Sequence, residues 1–146
     1  MPKAEFYILP ALAEKKILHF VCQLAETAYQ QQHRIYFQMQ NMQQAESLDE
    51  ILWTWRNDSF LPHNLVGEGP DPAPPIQIGC GKIMPNQRDI LINLSQTLPE
   101  EYPQFAQILE IVFSDEIHQT NARERYKIYR EKKYILQTHK PDLIEA

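Results

Sequence analysis

Short apolar runs recur along this 146-residue sequence with amphipathic or polar stretches between them, and that alternation leaves few architectures open. Phe6-Tyr7-Ile8-Leu9, closed by Pro10, reads as a buried strand. Arg34-Ile35-Tyr36-Phe37-Gln38, Ile76-Gln77-Ile78, Asp89-Ile90-Leu91-Ile92-Asn93-Leu94, Ile108 to Phe113 and Tyr134-Ile135-Leu136-Gln137-Thr138 read the same way. Strands alternating with helical stretches over short connections predict an α/β three-layer sandwich around a mainly parallel sheet. Neither an internal repeat nor a linker interrupts the pattern, so residues 1–146 are expected to form one domain.

Between the strands the helices announce themselves by spacing. From Ala11 to Gln32 the residues Ile17, Val21, Leu24, Ala25 and Ala28 fall at helical intervals. Ser47-Leu48-Asp49-Glu50 has the form of a capping box, with Ser47 as N-cap of a helix running through Trp53. The stretch from Leu98 to Gln107 accommodates a short helix. Ser114 is placed to cap a longer one that carries Asp115 and Glu116 in its first turn and ends near Lys132. All four glycines fall between Gly67 and Gly81, where Pro70, Pro72, Pro74 and Pro75 also gather, so this region reads as one long loop.

Several chemistries are disfavoured. A formal charge of -5 argues against a protein basic over its whole surface for nucleic acid. No run of about 18 apolar residues predicts a membrane span, and Met1-Pro2-Lys3-Ala4-Glu5 does not open a signal peptide, so a cytoplasmic protein without membrane attachment is expected. Asp115-Glu116-Ile117-His118 spells a helicase DExH box, but Gly79-Cys80-Gly81-Lys82-Ile83 fails as a P-loop. Ile76 stands where the first glycine is needed and Ile83 where a hydroxyl would hold magnesium. No GxGxxG joins a strand to a helix. The five histidines lack ligand spacing and are expected on the surface or in loops. Cys22 reads as a buried, inert thiol, and Asp58, Ser59 and His63 have no nucleophile elbow to present them. No catalytic site, cofactor or metal is expected.

Two features do point to function. Seven of the 14 Lys and Arg residues lie between His118 and Lys140, opposed only by Glu124 and Glu131, so this segment carries +5 and the other 123 residues -10. At about 100° per residue, Arg123, Tyr126, Lys127 and Arg130 share a helical face, with Ile117 and Ile128 expected to turn to the core. Arginine forks beside a tyrosine ring suit an acidic peptide or its terminal carboxylate. A solvated basic face fits the same spacing. The second feature is aromatic: Trp53, Trp55 and Phe60 lie within eight residues, as core packing or as an exposed anchor patch.

These residues belong to a longer set: Phe6-Tyr7, Leu48-Asp49-Glu50 with Leu52-Trp53, Phe60 with Pro62-His63-Asn64-Leu65, Gly67-Glu68-Gly69-Pro70, Asp89-Ile90-Leu91-Ile92, and Ala122-Arg123-Glu124-Arg125-Tyr126-Lys127 with Tyr129-Arg130. In this order they resemble the chi subunit family of the bacterial DNA polymerase III holoenzyme. The resemblance implies a Rossmann-like sheet that has lost nucleotide binding, in a non-catalytic clamp-loader accessory protein that bridges two partners. One is the psi subunit, with Trp53 and Phe60 on the surface that binds it; that surface also serves a helicase-like repair protein in some relatives. The other is the acidic C-terminal tail of single-stranded DNA-binding protein, which ends in an aromatic residue with a free carboxylate. Arg123, Tyr126 and Lys127 would hold that tail, with Arg130 available beside them, and DNA would be met only indirectly. The sequence departs from the pattern at Gln119, where a basic residue is expected one turn before Arg123. Contributions from Thr138 or Val112 depend on packing that spacing does not show. The alternative reading of the same cations is direct single-stranded DNA binding, with Tyr126 or Tyr129 stacking on bases.

Overall fold

A computed structural model describes residues 2–54, 62–66, 74–80 and 89–141. Among them seven strands form a single sheet: β1 (Lys3–Ile8), β2 (Ile35–Gln38), β3 (His63–Leu65), β4 (Ile76–Gly79), β5 (Ile90–Asn93), β6 (Gln107–Val112) and β7 (Ile135–His139). Three α-helices accompany it, α1 (Glu14–Gln30), α2 (Met42–Trp53) and α3 (Glu116–Glu131), with one turn of 3₁₀ helix at Tyr102–Gln104. The strand order is β3-β4-β2-β5-β6-β1-β7, and every pairing is parallel. No described helix is long and apolar enough to cross a membrane.

Strand alternation sorts the side chains into two cores. Ile35, Phe37, Ile76, Ile78, Ile90, Ile92, Leu109 and Ile111 point to one face, where α1 covers them with Ile17, Leu18, Val21, Cys22 and Ala25 and α2 with Ala45, Leu48 and Leu52. Tyr36, Leu91, Ile108 and Val112 point to the other face, with Ala4 and Phe6, under Ala122 and Tyr129 of α3. The result is the expected α/β sandwich of three layers. Cys22 is fully buried in α1, where burial and then Glu26 push its thiol up to about 12. It is an inert core residue, as its setting in the sequence implied.

The local signals required four corrections. α2 begins at Met42, not at Ser47: Asn41 is the N-cap, its side chain accepting from the Gln44 amide at 2.8 Å, while Ser47 lies inside the helix and donates to the Gln43 carbonyl. An Asn cap serves as well as Ser, and the glutamine-rich first turn carries no apolar periodicity to betray it. α3 is capped by Asp115, not Ser114, through the His118 amide at 3.0 Å. His63 is no loop residue: it lies buried in β3, a three-residue strand that the surrounding prolines and glycines conceal. Finally, Ile117 and Ile128 do not turn to the core, being 60% and 38% exposed; Ala122, Arg125 and Tyr129 do.

Candidate functional site

Under α3, at the carboxyl end of β1, lies a cavity of about 270 Å³. Its floor is apolar because alternate residues of parallel strands share a face: Phe6 and Ile8 come from β1, Val112 from the end of β6 and Thr138 from β7. α3 contributes Gln119, Ala122, Arg123 and Tyr126, and Lys140, just beyond β7, also lines the cavity. The Tyr126 ring leans on Phe6, centroids 5.5 Å apart and planes at 55°, and keeps 37% of its surface exposed. A flat ligand group entering here would meet aromatic carbon below and guanidinium at the side.

Of the four α3 residues expected to act together, this cavity gathers two, Arg123 and Tyr126. Lys127 faces solvent with Nζ 3.8 Å from Glu124 Oε1, both side chains mostly exposed. Arg130 is exposed but does not line the cavity. At roughly 100° per residue, Lys127 lies well around the helix from Tyr126, and Arg130 stands two turns beyond Arg123. Spacing alone omitted Phe6, Ile8 and Lys140, since their place depends on β7 pairing with β1 from the other end of the chain.

Arg125, counted among the cations of the basic segment, is withdrawn from the surface. Only 5% exposed, it donates from Nε to Glu110 Oε2 at 2.9 Å and from Nη1 to the Gln96 carbonyl at 3.1 Å. Glu110, on β6, is fully buried and also accepts from the Tyr129 hydroxyl at 2.6 Å and from Asn93 Nδ2 at 3.1 Å. Burial pushes the Glu110 carboxyl up, against the opposing pull of Arg125, Tyr129 and Asn93. Burial, then the Glu110 carboxylate, raises Tyr129 far enough that it keeps its proton as a donor. A buried charge of this kind persists only when paired and hydrogen-bonded, and here two of its partners, Arg125 and Tyr129, come from α3 and the third, Asn93, from β5.

A second surface lies at the end of α2. Trp53 is 58% exposed, and its ring meets the edge of His63 with centroids 4.9 Å apart. His63 Nε2 lies 3.2 Å from Asp49 Oδ1, one helical turn back, so β3 holds the last turn of α2 and its indole in place. Trp53 is thus exposed and not packed into the core. Phe60 and Trp55 lie outside the described residues, as do residues 67–73 and 81; the Gly67 to Gly81 region read as one long loop contains β4 at Ile76–Gly79.

Parallel sheets commonly hold nucleotides outside the carboxyl ends of their strands. Here that crevice, about 230 Å³, is lined by Glu14, Gln40, Asn41, Gln44, Leu94, Phe113 and His118 among others. Asn41 caps α2, and the Gln44 side chain accepts from the Gln40 amide at 2.8 Å. Asp115 caps α3 and holds the His118 ring at 2.7 Å. A phosphate arriving there would meet the Glu14 carboxylate and the backbone amides of Gln44 and His118, which already donate to Asn41 and Asp115. Among the described residues, no group of three or more His, Cys, Asp or Glu could hold a metal ion.

Residues 1–137 match the family model described as DNA polymerase III chi subunit, HolC. The chain is 34% identical over 140 residues to the Pseudomonas aeruginosa protein named DNA polymerase III subunit chi, covering 96% of this chain and 97% of that one. Its Haemophilus influenzae namesake is 36% identical over 136 residues, covering 92% and 94%. With that of Escherichia coli the identity is 34% over 144 residues, covering 94% and 97%.

Proposed function

The chain belongs to the DNA polymerase III chi subunit family, accessory subunits of replication, and on that premise we propose that it is a non-catalytic connector between the clamp loader and single-stranded DNA-binding protein. In this reading residues 1–146 act as one cytoplasmic domain. The cavity under α3 takes the acidic C-terminal tail of the binding protein: its terminal aromatic ring lies on Phe6, Ile8 and Val112, and its carboxylate meets Arg123. Lys127 and Arg130, on the exposed side of the same helix, attract the acidic residues that precede it. Trp53, with Phe60, docks psi, and a helicase-like repair partner would compete for that place.

The observation that carries the reading is the pairing of an apolar floor with the Arg123 guanidinium and the Tyr126 ring in one open cavity. Charge-assisted contacts of this type contribute about 1.5–3 kcal/mol when well formed, so Arg123→Ala should weaken binding of a tail peptide about tenfold or more. Isothermal calorimetry on the purified chain measures this, and an undiminished affinity would remove Arg123 from the site. The same titration with a C-terminal carboxamide separates the tail reading from direct single-stranded DNA binding, in which exposed cations track phosphates and no peptide carboxylate is read.

A further inference from the structure

Two cations stand on the walls of the cavity under α3, and they reach it by different routes. Arg123 descends from the helix; Lys140 arrives from the chain leaving β7. The register explains the second arrival. Phe6 pairs with Thr138 and Tyr7 with His139, so alternation sends Thr138 and Lys140 to the α3 side together with Phe6 and Ile8. His139 goes to the opposite side, where its Nε2 lies 3.0 Å from Glu5 Oε1 and its ring stacks on Tyr7 at 4.7 Å. That contact holds the backbone immediately before Lys140, which lines the cavity.

The electrostatics are one-sided. Among the described residues no carboxylate lines the cavity, and its other polar residues are Gln119, Thr138 and Tyr126. Neither Arg123 nor Lys140 is paired with a carboxylate among the described residues. Lys140 also lies past residue 137, where the family match ends. We propose that Lys140 is a specificity-determining residue of this site, closing with Arg123 from two walls onto the free α-carboxylate of an aromatic C-terminal residue whose ring occupies the apolar floor. The inference rests on the tail-binding reading above and adds to it the group that distinguishes a free chain end from an internal acidic segment. A fork on one wall and a point charge on the other enclose a terminal carboxylate, whereas an internal peptide bond offers them no anion.

The test uses the full chain and a short acidic peptide ending in phenylalanine, as free acid and as C-terminal carboxamide. Lys140→Gln should weaken the free acid about five- to tenfold, leave the carboxamide within twofold, and so shrink the acid-to-amide preference; Lys140→Arg should retain most of it. Because Lys140 is exposed, the thermal midpoint should not move. Equal affinity of Lys140→Gln and the unaltered chain for the free acid overturns the proposal, as does an equal loss for acid and amide. If the unaltered chain fails to bind the free-acid peptide, the tail-binding reading falls and this one with it. If the unaltered chain binds and Arg123→Ala weakens it while Lys140→Gln does not, only the role of Lys140 falls.

Discussion

On one side of the sheet, α1 and α2 are held almost wholly by apolar side chains, Val21, Leu48 and Leu52 meeting Phe37, Ile78 and Ile92; on the other, α3 is held in part by a fully buried carboxylate, Glu110, that meets Arg125, Tyr129 and Asn93. Apolar burial is strong but non-directional, so it fixes that a helix stays on a sheet more firmly than how it is turned there. Hydrogen bonds to a buried charge are directional, and leaving one of them unmade is costly. The helix with the polar attachment is the one that presents Arg123 and Tyr126 to the cavity. Arg123 and Arg125, neighbours but one on α3, have opposite tasks: one is exposed on the cavity wall and the other sets the helix against β6.

The largest effect should come from Arg125→Ala, which strands Glu110 without its cation and should cost about 3–5 kcal/mol in urea denaturation. The surviving folded protein should also lose tail affinity, because α3 is no longer held at one rotation. Leu48→Ala, in the apolar layer, should cost about 2–5 kcal/mol yet leave the affinity of folded molecules within twofold. Equal binding losses in the two variants would erase the distinction between the layers. The smallest effect concerns the start of α3. The His118 side chain and then its backbone amide hold the Asp115 carboxyl below the usual aspartate range, so its contribution to the helix is present above that range and fades as pH falls through the lowered value. Asp115→Asn keeps a cap while removing the titration. Its thermal midpoint should therefore depend less on pH below about pH 4 than that of the unaltered chain.

The parallel sheet was legible because Ile90 to Asn93 and Ile108 to Val112 are apolar enough to read as central strands by themselves. What escaped was set by distant partners. The phase of α3 read from Ile117 and Ile128 failed because the helix buries an arginine and a tyrosine, and only Glu110 on a neighbouring strand makes that favourable. β3 has too few residues to show a period, and Asn41 is one polar residue among many in its stretch. In the cavity, Arg123 and Tyr126 could be read from helical spacing, whereas Phe6 and Lys140 require knowing that β1 and β7 are neighbours.

That adjacency has a consequence in time. β1 is the first described strand to leave the ribosome and β7 the last, yet they lie side by side and each contributes to the same cavity. Until β7 emerges and adds to the sheet edge, a nascent chain has the Phe6 and Ile8 floor but neither Thr138 nor Lys140 to complete it. On the tail-binding reading proposed above, capture by stalled nascent chains of increasing length should begin only after β7 has cleared the exit tunnel, and binding competence would then report the completion of this fold.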